Sequence, residues 1–305
     1  MGNDDAARAR GETGAAPAAG DETGTGAVAA GGPAAGETGT AAGAWPEGLA
    51  LFDAHLHLDW FRDPAGAARE LAQADAGAYA VTVTPAGFLA ARPALAGCPN
   101  VRLAAGLHPW WLADGRCGPD DVEALCRLVA QGQRWVGEVG MDLSPRRLGV
   151  DGGAAQLEAF RRVCAASARA SDPQVPTVLS IHAVRAAGAV LDVLDETGCA
   201  ARCRCVLHWF SGTPEELRRA LQLGLRVSLG ERALSTRRGR EHARVAPAWA
   251  LLAETDLPPE PGWEAPAFDV AASLGRATEA LAAARGLSPA DARALVLANA
   301  RALLS

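Results

Sequence analysis

The sequence predicts a TIM-type (β/α)8 barrel, on three observations. From Leu51 onward, eight short apolar runs alternate with stretches of helical period, the signature of repeated β/α units. At 305 residues and 49% hydrophobic content, the chain can fill one such barrel. Five of its six histidines close apolar runs that read as strands. A single strand-end histidine is ordinarily a core or cap residue. A set of them spread along the chain implies a face where strand ends meet, and the carboxyl-terminal face of a barrel is that face.

Strands are expected near 51–57, 78–84, 101–107, 134–138, 177–182, 203–208, 225–229 and 250–255. The first is Leu51-Phe52-Asp53-Ala54-His55-Leu56-His57; the third runs into Leu107-His108, the fifth into Ile181-His182 and the sixth into Leu207-His208. The fourth closes on Glu138 and the eighth on Glu254-Thr255-Asp256. Helices are expected near 64–76, 119–131, 154–170, 185–197, 213–223, 268–285 and 288–304, with a weaker pattern over 85–97. Thr213-Pro214-Glu215-Glu216 carries a cap, a first-turn proline and acids that suit the helix dipole. The arginine-rich stretch 231–249 does not separate into elements.

Residues 1–46 form a Gly/Ala/Thr/acid-rich tail, expected to be disordered, and 47–305 the barrel domain. Up to residue 44 the only sizeable apolar side chains are Met1 and Val28, too few to offset ordering entropy. Six acids against two arginines put −4 on the tail and leave −2 of the total −6 on the body. No strong basic field is available, so any nucleic acid has to be gripped locally. No apolar run reaches the roughly 18 residues of a membrane span, no secretory signal is evident, and Ala6 spoils a myristoylation motif. The expected location is the cytoplasm, without membrane association. Seven cysteines lack Cys-x-x-Cys spacing and read as small core hydrophobes rather than a disulfide framework. All 29 basic residues are arginine, so no carboxylated lysine can bridge two metals; Glu138 is the replacement.

His55-x-His57 on a strand places both imidazoles on one face, about 7 Å apart by strand rise, which suits two ligands of one metal. Asp53 shares their parity and is a candidate to orient them. The expected ligands are His55, His57, Glu138, His182, His208 and Asp256, with Glu138 bridging two divalent cations. His55, His57 and Asp256 fall on one side, His182 and His208 on the other. Four histidines favour zinc or manganese over magnesium. Asp256 is the expected general base. His108 is surplus to that set, and the candidate roles are substrate contact, proton donation to a leaving group, or a strand cap. Ser211, with Gly212, is a candidate phosphate contact at a helix start. Asn299 reads as a bridge between elements.

At these residues the chain resembles the TatD family of metal-dependent deoxyribonucleases. Asp53-Ala54-His55-Leu56-His57, Gly106-Leu107-His108-Pro109, Val136-Gly137-Glu138-Val139-Gly140-Met141-Asp142, Ile181-His182, His208-Trp209-Phe210-Ser211-Gly212 and Glu254-Thr255-Asp256 match in order, over about 51–304. The resemblance implies a TIM barrel, two divalent cations (zinc, manganese or magnesium) and hydrolysis of DNA phosphodiesters, often at single-stranded or 3′ ends. Within the family, His57-Leu58-Asp59, Val81-Thr82-Val83-Thr84-Pro85 and His208-Trp209-Phe210-Ser211-Gly212-Thr213 look like the TatD-like member of the Qat anti-phage system. That would imply co-expression with other Qat proteins, among them an ATPase and a QueC-like protein. One departure stands out: the family's usual His-Ser-Arg is His182-Ala183-Val184 here, and Arg185, one place later, becomes the candidate substrate-binding guanidinium. Two other functions stay open: a barrel hydrolase for a small ester, amide or nucleotide-like substrate, and a binding protein with structural metals.

Overall fold

The computed structural model describes residues 45–305; the expectation for the tail lies largely outside them. Eight parallel strands follow in order: β1 (Leu51–Leu56), β2 (Ala76–Val81), β3 (Val101–Ala104), β4 (Trp135–Asp142), β5 (Val178–Val184), β6 (Arg204–Leu207), β7 (Arg226–Leu229) and β8 (Leu251–Ala253). The connecting helices are α1 (Pro64–Gln73), α2 (Pro85–Leu95), α3 (Pro109–Ala113), α4 (Pro119–Ala130), α5 (Ala154–Ala170), α6 (Ala187–Glu196), α7 (Cys199–Arg202), α8 (Pro214–Gln222), α9 (Glu231–Ser235) and α10 (Arg237–Val245), with α11 (Phe268–Arg285) and α12 (Pro289–Leu304) closing the chain. Every expected strand and helix is present. Among the described residues no helix is long and apolar enough to cross a membrane.

The strands form two ladders, β1-β2-β3 and β4 through β8. At one seam a single bridge pairs Ala105 with Val136. At the other, backbone bonds at the strand ends join β1 to the segment after β8: Asp256 N to His55 O at 3.0 Å and His57 N to Leu257 O at 2.8 Å.

One apolar cluster draws Phe52, Tyr79, Ala104, Val178, Val206 and Leu252 from six different strands of both ladders, as a barrel interior does. Leu303 and Leu304 of α12 and the Trp45 ring, 5.1 Å from Phe52, cover its amino-terminal end. The buried Tyr79 hydroxyl donates to the carbonyls of Val136 and Val178, so its polar tip is satisfied inside this cluster. A larger apolar layer packs the helices outside β4–β8, and it includes Cys164, Cys199, Cys203 and Cys205, as the hydrophobe reading of the cysteines requires. Asn299 Nδ2 donates to the carbonyls of Ala248 and Leu251, tying α12 to the start of β8.

The helix starts obey local rules. Thr213 and Glu216 form a capping box at α8, with Glu216 N donating to Thr213 Oγ1 and Thr213 N to Glu216 Oε2. The unreadable 231–249 stretch contains α9, α10 and a 3-10 turn, broken where Thr236 caps α10 through a bond from Gly239 N.

Gly140 explains why β4 runs close to β5. Its φ is +136°, and a Cβ there would sit 2.1 Å from the His182 carbonyl oxygen. Gly140→Ala should therefore cost roughly 2–4 kcal/mol, from strain plus overpacking. Urea denaturation reads this directly, and an unchanged midpoint would show that the two strands separate freely.

Candidate metal centre

All the expected ligands meet on the carboxyl-terminal side of the strands, although β4 runs four residues past Glu138 and β5 two past His182, where both were expected to end. His55 and His57 come from β1 and the residue after it, Glu138 from β4, His182 from β5, and His208 and Asp256 from just beyond β6 and β8. The four histidines and Glu138 are buried, as is His108, and Asp256 is partly open. Among the described residues, three overlapping trios bring donor atoms within 4.8 Å of one another: His55, His57, Glu138; His108, Glu138, His182; and His55, His208, Asp256.

The two oxygens of Glu138 face different partners. Oε2 lies 3.4 Å from His57 Nε2 and 3.7 Å from His55 Nε2, and both nitrogens also stand 3.3–3.5 Å from Asp256 Oδ1. Oε1 lies 2.8 Å from His182 Nδ1 and 3.0 Å from His208 Nε2, which are 3.3 Å from each other. Donors about 2.1 Å from a tetrahedral cation are about 3.4 Å apart, so the spacing suits cations better than direct hydrogen bonds on the Oε2 side. His55 Nε2 and Glu138 Oε2 are indeed buried without any hydrogen-bond partner, an expensive arrangement unless a cation answers them. The residues therefore fit divalent metal.

Ring orientation is set from behind. His55 Nδ1 meets Ser180 Oγ at 2.7 Å; with the proton on that side, Nε2 is free to ligate. His182 Nε2 faces Asp142 Oδ2 at 3.4 Å, which leaves Nδ1 toward Glu138. Asp53 does something other than expected. Its carboxylate accepts from the His55 and Thr255 amides and the Thr255 hydroxyl, joining β1 to the end of β8 without touching the His55 ring.

His108 also lies in the cluster, with Nε2 2.9 Å from Glu138 Oε1. The Trp110 amide donates to its Nδ1 at 3.1 Å, so the neutral ring keeps its proton on Nε2. It is a hydrogen-bond donor there rather than a ligand. Proton donation to a leaving group would need a doubly protonated ring. The Trp110 amide opposes that, and so does burial, which outweighs Glu138 and lowers the pKa to about 4.

Charge is divided unevenly over the other groups. Burial opposes ionisation of Glu138, but the surrounding His108 and His208 hold it well below the usual carboxylate range. Asp256 is likewise held low against burial, by the His57 hydrogen bond and nearby imidazoles. Burial lowers His55 to about 4, helped by His208. In His57 and His182 burial is outweighed, by Asp256 and Glu138 in the first and by Asp142 and Glu138 in the second, which rise to about 8 and about 9. Glu254 is raised well above its ordinary value by burial and by Asp256. Its Oε1 takes the Trp209 amide at 2.6 Å and its Oε2 the Ser228 hydroxyl.

A cavity of about 370 Å³ opens over the cluster, and its lining includes His108, Asp256, Ser211 and Arg232. Arg185 is exposed at the end of β5, with φ +52°, and is not part of that lining; the guanidinium at the cavity is Arg232. Ser180, Asp142 and Trp110 are parts of the site that strand-end reading misses. Parity carried a signal for two of them: Ser180 precedes His182 by two residues and Asp142 follows Glu138 by four, so each shares a strand face with a ligand.

The architecture is shared with solved structures. The TatD homologue YJJV of Escherichia coli K12 superposes with a TM-score of 0.69 at 21% identity, covering 84% of this chain and 98% of that one. A TatD family hydrolase from Entamoeba histolytica gives 0.67 at 14%, covering 84% and 98%. An uncharacterised amidohydrolase from Saccharomyces cerevisiae gives 0.60 at 14%, covering 84% and 99%. At these identities the likeness establishes the fold. Curated protein sequences return no match. The sequence family described as TatD related DNase matches residues 52–305. That span takes in the whole barrel and every residue of the centre, so this chain belongs to the TatD related DNase family of metal-dependent hydrolases.

Proposed function

We propose that this chain is a cytoplasmic, two-cation phosphodiesterase that cleaves DNA at single-stranded or 3′ ends, in defence against phage. The observation that carries the chemistry is Glu138, whose two oxygens face two separate donor sets. His55, His57 and Asp256 with Oε2 would hold one cation, and His182 and His208 with Oε1 the other. When bound, such a pair supplies Lewis acidity, acidifying a water and neutralising phosphate charge. Asp256 is the fitting proton acceptor: it is ionised, and its side chain is 22% exposed where that of Glu138 is 3%. As the water oxygen bonds to phosphorus and the bond to the nucleoside oxygen breaks, Asp256 takes the water's proton and can return it to the departing oxygen. With Glu138 Oε1 engaged by a cation, the His108 Nε2–H that lies 2.9 Å from it would be free to donate to a phosphoryl oxygen in the cavity. The defence role rests on the motif resemblance to the Qat nuclease, and its implied partners are the other Qat proteins.

The cavity volume favours a second reading, since about 370 Å³ falls within the range of small-molecule sites. That reading is a hydrolase for a small ester, amide or nucleotide-like substrate. Purified protein given labelled single-stranded DNA, RNA and bis(p-nitrophenyl) phosphate, with zinc, manganese or magnesium, separates the two. DNA cleavage abolished by chelator is expected. Turnover of the small ester with every oligonucleotide left intact would hand the case to the second reading.

A further inference from the structure

The cavity walls hold three indoles that the hydrolytic chemistry does not use. Trp60 follows β1, Trp110 opens α3 after β3, and Trp209 follows β6, so three of the chain's eight tryptophans approach the centre from three strand ends. Each is only partly buried. Trp111, next in sequence to Trp110, does not line the cavity; it lies under the Arg116 guanidinium instead.

Two of the indoles are held by their rings, and Trp209 by its backbone. The Trp60 ring stacks on His57 at 4.2 Å and 13°. Trp110 Nε1 donates to Asp142 Oδ2 at 2.6 Å, with Arg147 over the ring. Trp209 has φ +41°, in the left-handed region that bulky residues avoid, and its amide is pinned by the buried Glu254. Strain of this kind is retained where the surroundings over-determine it, often at a binding site. The electrostatics point the same way. Arg232 is the one arginine among the described lining residues, with Arg147 over Trp110 and Arg238 on the Ser211 carbonyl beside it, and the body carries a net charge of only −2. A polymeric substrate therefore finds a few guanidiniums here and, beside them, aromatic rings, of which Trp60 and Trp110 each have one face taken, by His57 and by Arg147.

We propose that Trp60, Trp110 and Trp209 form a stacking platform for the unpaired nucleobases flanking the scissile phosphate, which makes single strands the preferred substrate over duplex. This deepens the DNA reading above and rests on it. Stacking on an aromatic side chain tolerates any base but needs its face free, which base pairing denies.

The test uses metal-loaded protein, Trp60→Leu and Trp209→Leu, and the aromatic replacements Trp60→Phe and Trp209→Phe. Octathymidylate cleavage is measured as KM and kcat, and binding by anisotropy of a labelled phosphorothioate strand, alone or annealed to its complement. Each leucine variant should raise KM and weaken strand binding roughly 10- to 100-fold, the worth of one stacked base, and phenylalanine should restore most of it. Annealing should weaken binding to the wild type. Unchanged KM in the leucine variants, no advantage of phenylalanine over leucine, or equal binding of the duplex would each overturn the platform. If strands are cut while the leucine variants behave as wild type, stacking alone fails. If the wild type turns over the small ester but neither binds nor cuts any strand, the DNA reading itself fails.

Discussion

Replacing Glu138 with alanine should remove cation binding and at least about a thousandfold of the hydrolytic rate, while the barrel stays folded. One carboxylate serves both donor sets, Oε2 toward His55 and His57 and Oε1 toward His182 and His208. Its loss leaves each set one donor short and uncovers four imidazoles that it held together. The rate loss follows from losing a centre that supplies both nucleophile and charge neutralisation. Metal content by elemental analysis, with circular dichroism as the folding control, decides it. Two cations still bound per chain in the variant would exclude the bridging role.

His108→Ala should lower kcat by about 10²–10³, the usual cost of removing one donor to a developing oxyanion, with the metal content of the wild type retained. The Trp110 amide on Nδ1 fixes the ring as a neutral Nε2–H donor. Its contribution should therefore not depend on the leaving group. Equal losses on a nitrophenyl ester and on an alkyl phosphodiester are expected, with partial rescue by His108→Gln, which still offers an N–H. A loss confined to the poor alkyl leaving group would make His108 the proton donor instead.

The cluster of candidate ligands was legible because strands end where a barrel's face begins, so apolar runs closing on His55, His57, His182 and His208 pointed to residues that do come together. Helices α5 and α11 were legible to the residue, being long enough to repeat their period several times. Helices α3 and α7, at five and four residues, complete too little of a period to show one. Between 231 and 249, charged residues dominate α10 and leave only Gly239, His242 and Ala243 buried, so no apolar stripe announces it. Within the site, the contacts that assign roles were hidden because they join different strand ends. Ser180 meets His55 from β5, and Trp110 meets Asp142 from α3. No spacing along the chain encodes either. Arg185 illustrates the limit from the other side, since its place one step along the chain leaves it exposed and outside the cavity's lining residues.

The barrel's two seams have a consequence for its endurance. His55 and His57 belong to the three-stranded ladder, while Glu138, His182 and His208 belong to the five-stranded one or its strand ends, and backbone bonds of Ala105, Gly137 and Leu107 on one side and of His57 and Asp256 on the other join the two. Cations shared across that divide would act as rivets between two half-shells. Occupancy at a thousand times the dissociation constant adds about 4 kcal/mol to a folded state that alone can bind, here applied across the joins between the two ladders. Metal supply would then govern how long the protein survives proteolysis as well as how fast it turns over, and starvation for metal would clear the enzyme along with its activity.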